Sequence, residues 1–166
     1  MSAKEPIDVA DFLHETAARW DDIAKTQGAR IEVSAPSSGR MEADPALLRR
    51  VVDNLLDNAL RHTANGTSVT LHGYPGSGGW NVEVADHGPG VAPRQRDKLF
   101  TRFGRADSAR SRDGGGAGLG LALSAAIARA HGGSLELVES GSPGAVFKLI
   151  VPNTGGEDFP RSTPAL

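Results

Sequence analysis

A chain of 166 residues, 39% of them hydrophobic and 23% charged, has the length and composition of a single globular domain with a substantial core. Its formal net charge of −2 argues against a nucleic-acid-binding surface built on bulk positive charge, and the lack of cysteine excludes disulfides, thiolate metal sites and cysteine nucleophiles. Because no apolar run approaches the roughly 20 residues that span a bilayer and no signal-peptide pattern opens the chain, we expect a cytoplasmic fragment that meets a membrane only through upstream segments.

The first third of the sequence predicts scaffold elements. Residues 6–9 suit a short edge strand, and an amphipathic helix then runs to Gly28 with Asp8 or Asp11 as its N-cap. Residues 30–34 alternate as a strand does, and the APSSGR segment after them is typical of a turn.

The central helix begins at Asp44-Pro45, an N-cap followed by proline at the first helical position. Asn54, Asn58 and Arg61 fall at i, i+4 and i+7 and therefore share one edge of this helix. Two carboxamides and a guanidinium in a row suit a metal–phosphate group, although the same residues also suit a solvated helix rim. Another face of the helix carries apolar residues at helical spacing: Leu47, Leu48, Val51, Val52, Leu55, Leu56, Ala59 and Leu60.

Two predicted strands, residues 68–74 and 80–85, flank a PGSGG hairpin loop, and the second strand runs into Asp86. An ionised carboxylate only accepts hydrogen bonds, so it suits an exocyclic amine such as the amino group of adenine. Gly88 and Gly90 let the backbone turn sharply and approach a flat ring closely. An ordinary turn after the strand is the alternative interpretation.

A glycine-rich segment follows a predicted short helix at residues 93–100. Residues 104–117 have no periodicity, and unstructured loops of this length in compact domains are commonly lids or binding loops. They lead through GGGAGLGL into a helix at residues 122–130, where free N–H groups and the helix dipole favour phosphate. The pattern matches neither a Walker A loop nor a dinucleotide-binding fingerprint, and a flexible linker is the alternative.

The chain ends with further scaffold. Gly132-Gly133 closes the helix, and residues 134–139 and 145–151 predict a strand pair around a GSPG turn. Residues 153–166 are rich in Gly, Pro and Thr without an apolar period, so we expect a disordered tail. A single domain is therefore predicted over residues 1–152.

Five segments, in this order, resemble the catalytic ATP-binding domain of bacterial two-component sensor histidine kinases: NLLDNALRHT, DHGPG, LFTRF, GGGAGLGL and GAVFKLIVP. The wider superfamily also includes DNA gyrase, the large heat-shock chaperone ATPase and the MutL proteins. The resemblance covers about residues 6–152. It implies an α/β (α+β) two-layer sandwich of the Bergerat type, with a mixed, mostly antiparallel sheet on one layer of helices and a mobile Gly-rich lid over ATP.

The resemblance also implies roles for individual residues. Asn58 is expected to ligate Mg²⁺, Asn54 to contact the metal, its waters or the phosphates, and Asp86 to bind the adenine amino group. Phe100 and Phe103 match the aromatic motif that anchors the lid and helps to dock the acceptor domain. Other nucleotide contacts are expected from Arg61, His62, Gly88, Gly90, Gly116, Gly118, Leu119 and Gly120.

Three positions depart from the family pattern. Arg61 stands where a lysine is usual, which keeps the charge but replaces a point charge by a planar fork. Ala117 and Ala145 stand where threonine is frequent, so a hydrogen bond from each hydroxyl is missing or supplied differently. Arginines in or beside the lid are candidates for phosphate contact or for ordinary solvated side chains: Arg102, Arg105, Arg110 and Arg112.

Asn54 separates a kinase from an ATPase within the superfamily. The hydrolases carry Glu four residues before the metal-binding Asn, where it acts as a general base, and an amide cannot take that proton. The resemblance therefore implies transfer of the γ-phosphoryl group from Mg·ATP to a histidine. An anti-sigma-factor-type serine kinase or a nucleotide-gated protein-binding module is the alternative.

The phosphoacceptor histidine is not expected in this chain. His14 is followed by an acidic residue, as such acceptors often are, but the TAARW segment after it lacks the Ser/Thr/Asn-Pro typical of acceptor helices. We therefore interpret His14 as a solvated helix residue and expect the acceptor in an upstream dimerisation domain, from which a response regulator would receive the phosphoryl group. The chain alone is expected to bind Mg·ATP without autophosphorylation.

Overall fold

Two layers, a five-stranded sheet and helices on one of its faces, make up the computed structural model, which describes residues 3–96, 98–101, 119–141 and 144–153. This architecture confirms the predicted two-layer sandwich. The helices are α1 (Val9–Thr26), α2 (Pro45–His62), α3 (Pro93–Arg96) and α4 (Leu119–Ala130). The strands are β1 (Glu5–Asp8), β2 (Arg30–Ser34), β3 (Arg40–Ala43), β4 (Ser68–Pro75), β5 (Gly79–Ala85), β6 (Ser134–Gly141) and β7 (Gly144–Pro152).

The main sheet is mixed and mostly antiparallel, as predicted. Its strand order is β2-β4-β5-β7-β6, in which β2 and β4 run parallel and every other described pair runs antiparallel. Successive side chains along β4, β5 and β7 alternate between the helix layer and the outer face. The inward set is apolar and buried: Val69, Leu71, Val82, Val84, Phe147 and Leu149.

A separate two-stranded antiparallel sheet joins β1 to β3, with Glu5 opposite Ala43. The sequence indicates β1 but not β3, because RMEA is too short to show a period and its partner lies far away in the chain. The fully buried Trp80 ties this sheet to β5, since its indole Nε1 donates to the Arg40 carbonyl over 2.8 Å. Gly39 has a φ of +145°, and a Cβ there would collide with the Trp80 ring.

Capping residues start the two long helices as predicted. Asp8 caps α1 by accepting from the Asp11 N–H over 2.9 Å, and Asp44 caps α2 by accepting from the Ala46 N–H over 3.1 Å. Gly28, with a φ of 71°, follows the C-cap of α1. No helix within the described ranges is both long and apolar enough to cross a membrane.

α4 is bound to α2 at two separate places. His131, just past the end of α4, accepts from the Asp44 N–H through Nε2 over 3.0 Å and donates from Nδ1 to the Ile127 carbonyl over 2.9 Å. Half-way along α2, Asn54 Nδ2 donates to Ser124 Oγ over 3.1 Å. The helices therefore run antiparallel, and the start of α4 lies beside the second half of α2.

Candidate functional site

Three predicted parts of the site lie along the second half of α2. The loop after β5 packs on the last turn of α2, where a Cβ on Gly88 would collide with the His62 carbonyl oxygen. The first turn of α4 contacts α2 through Asn54, whose Nδ2 donates to the Gly120 carbonyl over 3.3 Å. The base-side loop, the polar edge of α2 and the start of α4 are therefore neighbours.

Asp86 is buried at 6% exposure and is held in one orientation by backbone amides. Its Oδ1 accepts from the Gly88 N–H at 2.9 Å and from the Ala145 N–H at 3.2 Å, and its own N–H donates to the Ala145 carbonyl at 3.0 Å. Within the described ranges Oδ2 makes no hydrogen bond, so it is the acceptor available to a ligand. Ala145 acts through its backbone, so the missing threonine hydroxyl does not affect this contact.

Close packing accounts for two glycines beside Asp86. Gly88 has no room for a side chain against α2, and a Cβ on Gly144 would collide with the Asp86 carbonyl oxygen. Gly144 also has a φ of +117°, and Gly90 has a φ of 77°, both of which L side chains rarely adopt. These glycines let three chain segments meet at Asp86.

Asn54 uses its amide nitrogen within the protein. One Nδ2 hydrogen goes to the Gly120 carbonyl at 3.3 Å and the other to Ser124 Oγ at 3.1 Å. Ser124 is completely buried, so Asn54 supplies the polar partner that its hydroxyl needs. Oδ1 of Asn54 has no hydrogen bond within the described ranges.

Asn58 and Arg61 differ in their partners. Asn58 is half-buried, and its amide makes no hydrogen bond to any residue that the structure describes. Arg61 Nη2 pairs with Asp57 Oδ2 at 3.2 Å, one helical turn back and partly exposed. An ion pair of this kind stabilises a helix by under about 0.5 kcal/mol, so Asp57 holds Arg61 only weakly. His62 is exposed in the last turn of α2, beside Gly88.

Of the segment predicted to bind phosphate, the structure describes only the part from Leu119 onward. Leu119 is the first residue of this helix and Gly120 the second, where backbone N–H groups without helical partners favour an anion. A Cβ on Gly120 would lie 3.7 Å from Asn54 Cγ, an ordinary contact, so packing on α2 does not require glycine there. Gly116, Ala117 and Gly118 lie outside the described residues.

Phe100 attaches the segment after α3 to the sheet. Its ring meets the Phe147 ring of β7 edge-on, with centroids 6.1 Å apart and an interplanar angle of 89°. Other predictions for the lid and the C-terminal tail fall outside the described residues: Phe103, Arg102, Arg105, Arg110, Arg112, the loop at 104–117 and residues 154–166.

Some residues that shape the site do not stand out in the sequence. Ser124 had a signal, because it is the lone polar residue on the buried face of the LALSAAIARA helix. His87 had none: its N–H donates to Thr63 Oγ1 at 3.1 Å, across 24 positions of the chain. The steric demand on Gly144 likewise arises only from a distant segment. His14 is exposed on α1, as interpreted from its sequence context.

Sequence comparisons identify similar proteins. The family model described as histidine kinase-, DNA gyrase B-, and HSP90-like ATPase matches residues 43–155. The sensor-like histidine kinase SenX3 of Mycolicibacterium smegmatis is 34% identical over 148 residues, which cover 89% of this chain and 38% of SenX3. The sensor histidine kinase component HK1 of Mycobacterium tuberculosis is 36% identical over 158 residues, which cover 93% of this chain and 89% of HK1. The chain thus spans little more than a third of SenX3.

Solved structures with the same fold include the following, each more than one-quarter identical to this chain in sequence. Full-length ShkA in complex with AMPPNP superposes with a TM-score of 0.78 at 28% identity, covering 94% of this chain and 33% of ShkA. The ATP-binding domain of PrrB from Mycobacterium tuberculosis superposes with a TM-score of 0.70 at 29% identity, covering 93% of this chain and all of that domain.

Proposed function

Because the chain belongs to the family of histidine kinase-, DNA gyrase B- and HSP90-like ATPases, we propose that it binds Mg·ATP as the catalytic part of a two-component sensor kinase. It donates the γ-phosphoryl group to a histidine on a dimerisation domain outside residues 1–152, the proposed catalytic domain. The packing of the Asp86 loop on the end of α2 carries this proposal, since it sets an oriented base acceptor beside the helix that bears Asn58.

Asp86 selects the base. Oδ1 is saturated by two backbone amides, so Oδ2 accepts from the exocyclic amine of adenine. Guanine presents a carbonyl oxygen at the same position of its ring, and two acceptors facing each other in a buried site repel. A site that leaves a buried polar group unpaired rejects the wrong ligand strongly.

The residues of α2 fit Mg²⁺ that arrives with the triphosphate. Magnesium prefers oxygen ligands in octahedral geometry and is commonly held by few protein groups together with phosphates and water. Within the described ranges no group of three or more His, Cys, Asp or Glu side chains could hold a metal by itself. Asn58 would supply one amide oxygen, with Asn54 Oδ1 beside it. The metal, when bound, neutralises charge on the β- and γ-phosphates.

Asn54 offers no general base that could activate water to hydrolyse the bound nucleotide. An amide cannot act as general base, and both hydrogens of Nδ2 already bond to α4. The γ-phosphoryl group is therefore retained until an imidazole nitrogen attacks it, whereupon the bond between γ-phosphorus and the bridging oxygen breaks and ADP leaves. Arg61 and the N-terminus of α4 stabilise the phosphate charge. Transfer onward to a response regulator follows from the acceptor domain.

Transfer of labelled phosphate tests this function. The chain is incubated with γ-labelled ATP, Mg²⁺ and a separately produced acceptor domain from the parent kinase. We expect acid-labile phosphohistidine on the acceptor, no label on the chain alone, and loss of both ATP binding and transfer in Asn58→Ala. Arg50→Ala, an exposed change on the same helix, is the matched control. Acid-stable phosphoserine on a partner protein, or nucleotide binding without any transfer, would support the serine-kinase or regulatory-module alternative.

A further inference from the structure

The chain leaves its pairing with β4 after β5 ends at Ala85. The last register pair between β4 and β5 joins Thr70 to Ala85, so a continued ladder would set Ser68 opposite His87. The His87 backbone N–H donates instead to Thr63 Oγ1 over 3.1 Å, and its ring Nδ1 contacts the Ser68 carbonyl at 2.6 Å. Since a carbonyl oxygen only accepts, Nδ1 carries the proton and stands in for the ladder donor.

Thr63, at the end of α2, accepts the hydrogen bond from the His87 N–H. It is the C-cap residue, and its N–H donates to the Ala59 carbonyl over 2.9 Å. Its hydroxyl lies 3.2 Å from Thr67 Oγ1, and the Thr67 hydroxyl donates to the Ala64 carbonyl. Because Thr67 has used its single hydroxyl hydrogen, Thr63 donates to Thr67 and accepts from His87. Each hydrogen bond in this set therefore has one direction.

Because the backbone turns away from the sheet here, the Asp86 loop packs against the last turn of α2, the helix that carries Asn58. Asp86 precedes His87 directly, and Gly88 follows it with no space between its Cα and the His62 carbonyl oxygen for a side chain. His62 lies one helical turn after Asn58. The contacts of His87 thus join the segment that carries Asp86 to the end of α2.

We infer that His87 and Thr63 are positioning residues, which set the separation between Asp86 and the Asn58 edge of α2 without contacting the nucleotide; this inference rests on the proposed function. ATP carries its base and its triphosphate on opposite sides of a ribose. ATP gains affinity from both subsites only when the distance between them matches the distance between its base and its triphosphate. Loosening the loop therefore weakens the linked ligand far more than either of its fragments.

A pair of His87 variants tests the ring contact. His87→Ala removes the Nδ1 donor, whereas the Nδ2 of His87→Asn occupies the same place relative to Cγ and donates to Ser68. We expect His87→Ala to weaken Mg·ATP binding by about tenfold or more, and adenosine and Mg·tripolyphosphate by less than about twofold. His87→Asn restores Mg·ATP affinity to within about threefold of the unmodified chain. Calorimetry measures Mg·ATP, and chemical-shift titration measures the weak fragments.

A pair of Thr63 variants tests the hydroxyl in the same assays. Thr63→Val keeps the shape of the side chain but cannot accept from the His87 N–H, whereas Thr63→Ser keeps the hydroxyl. We expect Thr63→Val to reproduce the selective loss of Mg·ATP affinity and Thr63→Ser to bind as the unmodified chain does. Thermal unfolding in the absence of ligand separates a loss of stability from a loss of spacing.

Three outcomes overturn the inference. Mg·ATP affinity is unchanged in His87→Ala; or Ala and Asn at position 87 cause the same loss; or adenosine loses as much affinity as Mg·ATP, which would make His87 a direct contact of the base. Binding of Mg·ATP to the unmodified chain shows whether the positioning role alone or the proposed function is wrong. If it binds Mg·ATP and only the variants disagree, the positioning role alone is wrong; if it does not bind Mg·ATP, the proposed function is wrong.

Discussion

Asn54 on α2 and Ser124 on α4 form a buried pair, with Asn54 Nδ2 donating to Ser124 Oγ over 3.1 Å. Ser124 has no exposure to solvent, and the second Nδ2 hydrogen of Asn54 goes to the Gly120 carbonyl. The residue expected at the metal therefore also holds the first turn of the helix expected at the phosphates. Its amide nitrogen serves the fold while its oxygen remains for the ligand.

Asn54→Asp should separate these two uses of the amide. The carboxylate cannot donate to Gly120 or Ser124 and sets a negative oxygen against the Gly120 carbonyl, so we expect the free energy of unfolding to fall by about 1–3 kcal/mol. Asn58→Asp makes the same chemical change one turn away, at an amide without a described partner, and should leave stability nearly unchanged. Urea unfolding without nucleotide gives both values. Equal losses in the two variants would contradict the pairing.

Gly88→Ala should weaken nucleotide binding through a steric effect alone. The added methyl meets the His62 carbonyl oxygen and moves the Asp86 loop away from α2, so we expect Mg·ATP affinity to fall by about tenfold or more. Gly78→Ala is the matched control, because a Cβ at Gly78 has no atom within 4 Å. Calorimetric titration of both variants checks the prediction, and equal affinities would show that the loop tolerates displacement.

Asp86→Asn should reverse the hydrogen-bonding character offered to the base. Oδ1 still accepts from the Gly88 and Ala145 amides, but the second position becomes an NH₂ donor. We expect ATP affinity to fall and the preference for ATP over GTP to shrink by about tenfold or more. Competition of each nucleotide against a fluorescent ATP analogue measures the ratio. An unchanged ratio would mean that Asp86 does not read the base.

Stability should fall at high pH because of Tyr74. Burial, and then a 2.6 Å hydrogen bond to Glu83, raise the pKa of Tyr74 from 10.0 to about 12. Between these values the unfolded chain loses the phenolic proton and the folded chain keeps it, so the stabilisation is complete below pH 10 and is lost as pH rises towards 12. Tyr74 is the single tyrosine, so the ultraviolet absorbance of its phenolate follows its ionisation. In Tyr74→Phe, the free energy of unfolding measured in urea should fall less between pH 10 and pH 12.

His131→Leu should destabilise the fold but leave nucleotide affinity nearly unchanged. The change leaves the buried Asp44 N–H without its acceptor, which costs about 1–3 kcal/mol. Because His131 lies at the other end of α2 from the Asp86 loop, Mg·ATP affinity should stay within about twofold. His14→Leu, an exposed change on α1, is the control. Loss of binding at unchanged stability would contradict this separation.

Sequence patterns correctly predicted the features that depend only on residues close together in the chain. The caps at Asp8 and Asp44 and the apolar face of α2 follow from neighbouring residues in the chain and are confirmed. The Arg61–Asp57 pair, at i and i−4, likewise depends only on local helical spacing. The roles assigned to Asn58 and Asp86 stay predictions.

Contacts between distant segments could not be predicted in this way. β3 is stabilised by β1 and by the indole of Trp80, 40 positions away from the Arg40 carbonyl that it meets. His131 looks like any helix-terminal histidine until Asp44 is placed beside it. His87 resembles an ordinary turn residue, since its partners Thr63 and Ser68 belong to other elements. A single sequence holds no signal for such pairings.

The pairing of β1 with β3 also bears on how a phosphoacceptor would reach the nucleotide. Glu5 lies opposite Ala43, immediately before α2, whereas Asn58 lies 14 positions after Asp44 on that helix, about 20 Å along its axis. An acceptor histidine joined upstream of β1 on the same chain therefore begins its path at the far end of α2. Covering that length takes at least about six residues of extended chain. Transfer within one polypeptide thus requires either a linker of this reach or rotation of the whole catalytic unit.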